Sequence, residues 1–140
     1  MNVVIDANVL IAAVAAHGLC EAVVEVCLER HRLILGTAIL DDVAQKLKRK
    51  LKLPASIIRE YLAVLEDRSE VVEPEPIPEG TCRDPDDHAV LGLVVPGKAD
   101  AILSGDKDLL VLKAYKGCPV LSPREFWEHA ADGRNSNGLQ

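Results

Sequence analysis

Two aspartates lie at the ends of buried strands that the sequence predicts. Asp6 follows the apolar run Val3-Val4-Ile5, and Asp106 comes shortly after Ala101-Ile102-Leu103. In open α/β sheets, functional sites form beyond the carboxyl ends of the strands, so both carboxylates lie where chemistry is expected. Each also has a structural explanation, because Asp6 could cap the helix that begins near Val9 and Asp106 could belong to a turn.

A third acidic stretch lies between these two strands in the sequence. Asp84 and Pro85 are typical of a helix start, with Asp84 as the cap and Pro85 at the first helical position. Capping is the stronger of the two explanations for Asp84, the other being a supporting role in the site. Asp87 has the stronger claim to function, because a carboxylate in the first turn that faces the sheet would point over the strand ends that carry Asp6 and Asp106.

Convergence of these carboxylates would require a positive partner. Two carboxylates 4 Å apart repel each other by roughly 4 kcal/mol at an effective dielectric constant near 20. No buried lysine partner is evident from the sequence, and a ligand set of oxygen atoms without His or Cys suits Mg²⁺ or Mn²⁺ rather than zinc. Such ions lower the pKa of a bound water and stabilise the leaving oxygen of a phosphodiester, which is nuclease chemistry.

Apolar runs and helical periodicities alternate along the chain and predict the elements that would position these acids. Short continuous runs indicate buried parallel strands, and residues that recur every three or four positions indicate amphipathic helices. The predicted strands are 3–5, 33–35, 70–72, 101–103 and 119–121, and the predicted helices begin near Val9, after Gly18, at 38–50, at 55–66, at Asp84 and after Ser122. Strands separated by helices predict an α/β sandwich with a mainly parallel central sheet.

The composition is that of one globular domain. The chain has 140 residues, of which 49% are hydrophobic and 27% charged, and this balance excludes disordered and collagen-like classes. We expect one domain over 1–131 and a disordered polar tail over 132–140. Aromatic residues make up only 3%, which argues against modules that bind nucleic acid by base stacking.

The charge is unevenly distributed. The net charge of −6 disfavours long-range attraction to nucleic acid. A basic run nevertheless occurs on the helix predicted at 38–50, and it contains Lys46, Lys48, Arg49 and Lys50, with Lys52 just beyond. This run is either a solvated helix face or a local patch that contacts phosphates beside the acidic pocket.

The first sixteen residues do not resemble a targeting or membrane segment. Asp6 and Asn8 interrupt the apolar stretch and no basic region precedes it, so we expect neither a signal peptide nor a membrane span. The four cysteines show no C-x-x-C spacing and would remain thiols in a reducing compartment. A cytoplasmic protein that does not bind membranes is therefore expected.

Four segments of the chain carry motifs in a fixed order. Residues 5–10 contain the pattern D-x-N-x-L, and 37–47 are a predicted helix with a Thr start and acidic residues. Residues 83–87 are rich in aspartate, and 101–110 are a predicted strand followed by [ST]-x-D-x-D-L-L. In order and spacing these motifs resemble those of PIN-domain ribonucleases, in particular the VapC-like toxins of bacterial and archaeal toxin–antitoxin pairs, and the last motif is the most specific signal. The matches span 2–126, and the resemblance implies a PIN-like three-layer α/β/α sandwich.

The resemblance also implies the site. Asp6, Asp87 and Asp106 would bind Mg²⁺ or Mn²⁺, and an acid on the second motif's helix would help to position and deprotonate the attacking water. That acid is usually Glu, whereas this helix offers Asp41 and Asp42; helical geometry does not decide between them, and Asp42 fits the family helix better. Four further residues would support the site, namely Asn8, Asp84, Ser104 and Asp108.

These observations favour a metal-dependent endoribonuclease that acts as the toxin of a type II toxin–antitoxin pair, with RNA as substrate, a cognate antitoxin as partner and a homodimeric state. The alternative is a catalytically impaired PIN fold that serves as a protein-interaction module, which the shorter side chain of Asp42 favours. A phosphatase of the haloacid-dehalogenase type would need an aspartate at the position of Asn8, and this requirement argues against it.

Overall fold

A six-stranded sheet forms the centre of the protein. The computed structural model describes the backbone of residues 1–136 and the side chains of residues 1–129. The strands are β1 (Asn2–Ile5), β2 (Arg32–Leu35), β3 (Ser69–Val71), β4 (Ala101–Leu103), β5 (Ala114–Tyr115) and β6 (Cys118–Leu121). Their order in the sheet is β3-β2-β1-β4-β6-β5. All neighbouring pairs are parallel except β5 with β6, so the predicted mainly parallel α/β sheet is confirmed.

Helices flank this sheet. They are α1 (Ala7–Ala15), α2 (Leu19–Arg30), α3 (Thr37–Arg49), α4 (Ala55–Arg68), α5 (His88–Leu91), α6 (Lys107–Leu110) and α7 (Pro123–Ser136), and a 3-10 turn over Pro85–Asp87 precedes α5. Within residues 1–136, no single helix is long and apolar enough to cross a membrane. Helices α1 and α2 reach that length and apolarity only together, and the chain bends by 114° between them.

The core explains why the central strands are continuously apolar. Residues 3–5 of β1 and 33–35 of β2 are fully buried, as expected for strands that are covered on both faces. Helix α3 buries the recurring apolar positions Leu40, Val43 and Leu47. This spacing turns one helix face to the core, so the predicted amphipathic helix is confirmed.

Several boundaries differ from the predictions. The helix predicted at Asp84 is a 3-10 turn followed by only four α-helical residues, so the α-helix itself begins at His88. The two-residue strand β5 was not predicted, because so short a segment has no periodicity. Helix α7 continues to Ser136 rather than ending at residue 131, and residues 137–140 of the expected tail lie outside the described residues.

Candidate metal centre

Asp6 and Asp106 approach each other because they follow neighbouring strands. Strands β1 and β4 pair in parallel with Ile5 opposite Leu103, so the chain leaves both strands at the same edge of the sheet. The backbone N–H of Asp6 donates to the carbonyl of Leu103 over 2.9 Å, which extends this pairing to the first site residue. The side chain of Asp6 makes no capping hydrogen bond to α1, so helix capping does not account for it.

Asp87 reaches the same edge from the 3-10 turn. Asp84 caps this turn, since its Oδ1 atom accepts from the N–H of Asp86 over 3.0 Å. Its carbonyl also accepts from the N–H of Asp87 over 3.0 Å. The turn thereby holds Asp87 over the strand ends, and one carboxylate oxygen each from Asp6, Asp87 and Asp106 lie within 4.8 Å of one another. The structure thus brings together the three residues that the sequence analysis expected to bind metal.

Ser104 links two of these acids. Its buried hydroxyl donates to Oδ2 of Asp6 over 2.8 Å and accepts from the N–H of Asp106 over 2.9 Å. The carboxylate of Asp106 is oriented in turn, because its Oδ1 atom accepts from the N–H of Asp108 over 2.9 Å and so caps α6. Asp108 therefore supports the cluster through its backbone, and Ser104 fixes Asp6 directly.

The electrostatics of the cluster are unfavourable without a cation. Burial raises the pKa of Asp6, and the charge of Asp106 adds to this rise although the Ser104 hydrogen bond opposes it. The pKa of Asp87 is raised to about 7, mainly by burial and in part by the neighbouring carboxylates of Asp106, Asp6 and Asp84. Desolvation and like charges both disfavour the ionised form of an acid.

One oxygen in the cluster has no partner. Oδ2 of Asp87 is buried and makes no hydrogen bond among the described residues. Buried polar atoms are nearly always satisfied, so this atom indicates a missing partner. A divalent cation would supply one and would offset the repulsion among the three carboxylates. An all-oxygen set of this kind fits Mg²⁺ or Mn²⁺.

A second acidic group shares Asp87. Oxygens of Asp84, Asp87 and Asp108 also lie within 4.8 Å of one another. The sequence analysis placed Asp84 and Asp108 in supporting positions but did not predict that both would approach Asp87. Their proximity depends on how the 3-10 turn packs against the start of α6, which local sequence patterns do not reveal.

The cluster opens into a cleft of about 580 Å³ that α3 borders on one side. Asp42 lines this cleft, whereas Asp41 is exposed and does not border it, so geometry distinguishes the two acids that the sequence left open. Asp42 is nevertheless outside both carboxylate groups. Its Oδ2 atom instead lies 3.2 Å from Nζ of Lys46, one helical turn further along.

The basic run divides into two parts. Lys46 is half-buried and lines the cleft, where its ammonium also donates to Oδ1 of Asn8 over 3.5 Å. Lys48, Arg49 and Lys50 are exposed and do not line the cleft. Lys46 thus accompanies Asp42 at the cleft, but it is not a buried partner of the three central carboxylates. The spacing of four residues between Asp42 and Lys46 on one helix was the signal that could have revealed this pair.

Comparisons with known proteins add independent information. The family model of the PIN domain matches residues 2–108. Among solved structures, a chain from the crystal structure of VapBC2 from Rickettsia felis, bound to a DNA fragment from their promoter, is similar with a TM-score of 0.62 and 10% sequence identity. The match covers 87% of this chain and 98% of that one, and at this identity it shows a shared fold. No curated protein matches the chain.

Proposed function

The chain belongs to the PIN-domain family, and on that basis we propose that it is a metal-dependent endoribonuclease that hydrolyses RNA phosphodiesters. The observation that carries this proposal is the convergence of three carboxylates within 4.8 Å, two of them buried, with one oxygen of Asp87 that has no hydrogen-bond partner among the described side chains. A purely structural cluster of this kind would destabilise the fold without compensation. A site that binds a cation explains it.

Asp6, Asp87 and Asp106 are the residues that would hold Mg²⁺ or Mn²⁺. Once bound, such an ion lowers the pKa of a water and stabilises the leaving oxygen of a phosphodiester. Ser104 keeps the Asp6 carboxylate in one orientation, because its hydroxyl donates to Oδ2 of Asp6. The N–H of Asp108 does the same for Asp106.

Asp42 and Asn8 border the cleft beside these three acids and are the groups proposed to orient the attacking water. Asp42 is the proposed proton acceptor. It is partly exposed and carries an ion pair with Lys46, so it is accessible from the cleft rather than enclosed with the metal ligands. The position of Asp42 suits contact with the attacking water rather than coordination of the cation.

The biological role proposed here is that of a toxin with a cognate antitoxin. Support comes from the shared fold with the VapBC2 structure and from the motif resemblance to VapC-like toxins. A homodimer, a substrate RNA and action in the cytoplasm belong to the same proposal. The four cysteines are free thiols, as a reducing compartment would keep them.

An alternative function is a PIN fold that has lost catalysis and binds another protein. The observation that favours it is the ion pair between Asp42 and Lys46, which occupies the fourth acid of the site. In this case the three remaining carboxylates could still bind a cation, but no RNA would be cleaved.

Cleavage of a labelled single-stranded RNA pool by the purified protein tests the proposal. We expect cleavage with Mg²⁺ or Mn²⁺ and none with EDTA. Asp106→Asn should abolish cleavage without unfolding the protein, because Asn retains the acceptor that caps α6. Asp67→Asn changes an exposed aspartate on α4 and is the matched control, with activity equal to wild type. Metal binding without RNA cleavage would favour the interaction module.

A further inference from the structure

The residues that line the cleft include one positively charged side chain and several acids. Six of the described residues that line it are aspartates, and Lys46 is the one lining residue with a positive side chain. An RNA phosphate that enters this cleft meets a strongly negative surface. A bound divalent cation would offset the three central carboxylates, but Asp42, Asp84 and Asp86 would continue to repel the phosphate.

The position of Lys46 suits contact with a phosphate. Its side chain is 30% exposed, so the ammonium is neither enclosed nor free in solvent. It lies 3.2 Å from Oδ2 of Asp42 and 3.5 Å from Oδ1 of Asn8, which is two residues from Asp6. An ammonium has three N–H donors, and these two contacts leave one available.

We propose that Lys46 binds a phosphate of the RNA backbone inside the cleft, adjacent to the carboxylates of Asp6, Asp87 and Asp106. This proposal rests on the proposed ribonuclease function and deepens it, because it assigns substrate positioning to one residue of the basic run. The third N–H donor of Lys46 contacts the phosphate. The ion pair with Asp42 restrains the side chain of Lys46 little, because partly exposed ion pairs are weak.

The other residues of the basic run cannot bind a phosphate inside the cleft. Lys48, Arg49 and Lys50 lie on the same helix but are exposed and do not line the cleft. They can contact phosphates only outside it. Lys48→Met is therefore a matched control for Lys46→Met, since both remove one ammonium from α3 and keep a long unbranched side chain.

The test measures the affinity of the protein for a short fluorescein-labelled single-stranded RNA. Ca²⁺ replaces Mg²⁺ in this measurement, because it also takes oxygen ligands, although at longer distances. Lys46→Met should weaken binding about tenfold, as expected for loss of a charge-assisted hydrogen bond. Lys48→Met should cause a clearly smaller loss, and Lys46→Arg should retain most of the affinity. The thermal shift with Mn²⁺ should be the same in Lys46→Met and wild type, which shows that the metal site is intact.

Asp42→Asn distinguishes two roles of Lys46, namely binding of a phosphate and pairing with Asp42. This variant keeps Lys46 and removes one negative charge, so RNA should bind at least as tightly as to wild type. A loss of affinity equal to that of Lys46→Met would overturn the proposal, and so would equal losses in Lys46→Met and Lys48→Met. If wild type cleaves RNA while Lys46→Met binds it normally, only the role of Lys46 is wrong. If wild type neither binds nor cleaves RNA, the ribonuclease function fails as well.

Discussion

The hydroxyl of Ser104 donates a 2.8 Å hydrogen bond to Oδ2 of Asp6, although 98 residues separate them in the sequence. The same oxygen of Ser104 accepts from the N–H of Asp106. One buried serine therefore ties the end of β1 to the segment that follows β4. The orientation of two proposed metal ligands depends on this contact.

Replacement of Ser104 by Ala should lower both stability and metal affinity. The change removes a donor to a buried carboxylate and leaves the N–H of Asp106 without its acceptor, so we expect a loss of about 1–3 kcal/mol in the free energy of unfolding. Urea denaturation and a Mn²⁺ titration would measure the two effects. Ser69→Ala is the control, because the buried hydroxyl of Ser69 makes no hydrogen bond within the part of the chain that the structure describes, and its loss should be nearly neutral. Equal losses in both variants would contradict the assigned role of Ser104.

Asp87→Asn should stabilise the metal-free protein, and the gain should increase with pH. The pKa of Asp87 rises from its ordinary value of 3.8 to about 7 in the folded state, mainly through burial. The folded protein thus binds this proton more tightly than the unfolded chain, and wild type loses stability as pH rises through that range. The difference in melting temperature between Asp87→Asn and wild type, measured in EDTA, should grow up to about pH 7 and then level off.

The exposed neighbour Asp86 provides the control for this titration. Asp86→Asn changes a carboxylate in the same turn that is not buried. The difference in melting temperature between Asp86→Asn and wild type should be smaller than that between Asp87→Asn and wild type, because the change removes no buried charge. A pH dependence as large as that of Asp87→Asn would mean that the whole turn, rather than the buried carboxyl, is responsible.

Asp6→Asn should reduce the stabilisation that metal provides. A ligand that binds only the folded state adds RT ln(1 + [L]/Kd), or about 2.7 kcal/mol at one hundred times Kd. Wild type should therefore melt at a higher temperature with Mg²⁺ or Mn²⁺, and Asp6→Asn should respond less. Without metal the variant should be slightly more stable, because Asn can still accept from Ser104 but carries no charge. A wild-type melting curve that neither ion changes would contradict the metal site.

The exposed basic residues should contribute to RNA binding through salt-dependent contacts. Replacing Lys48, Arg49 and Lys50 by Ala should weaken binding evenly across RNA sequences. For single-stranded RNA, each phosphate contact that is lost should reduce the slope of log affinity against log salt by roughly 0.7. Fluorescence anisotropy at several salt concentrations measures this slope. An unchanged slope would show that the three residues form only a solvated face.

A homodimer should form through the outer face of α4. Ile57 and Val64 lie seven residues apart on this helix and are 44% and 46% exposed, whereas Ile58 and Leu65 pack in the core. Light scattering of wild type should return twice the chain mass of 15.2 kDa. Replacing Ile57 and Val64 by Glu should give a monomer with an unchanged fold by circular dichroism. A wild-type mass near that of one chain would contradict the dimer.

Much of the fold follows from local patterns. The buried runs at 3–5, 33–35 and 101–103 predicted β1, β2 and β4, because strands covered on both faces have no polar alternation. The helix predicted after Ser122 also forms, and Ser122 and Glu125 exchange reciprocal hydrogen bonds at its start. Strand β5 was missed because its two residues carry no pattern and pair only through the tertiary arrangement.

The site was predictable to a similar extent. The rule that sites form at the carboxyl ends of parallel strands led to Asp6 and Asp106, and the helix-start pattern led to Asp87. The choice between Asp41 and Asp42 required the position of α3 relative to the sheet, which no local pattern contains. A run of charged residues does not by itself distinguish Lys46 from its neighbours, whereas its spacing of four residues from Asp42 indicates a shared helix face.

The strand order also determines when the site can form during protein synthesis. Strand β1 lies between β2 and β4. It can pair with β2 soon after both are made, but it can pair with β4 only after residues 101–103 have been made. Pairing between such distant segments is intrinsically slow, because a long loop must close first. Asp6 is made 100 residues before Asp106 and can meet it only after the intervening segment has been translated. A growing chain therefore holds these two proposed metal ligands apart until β4 and the segment after it have been made.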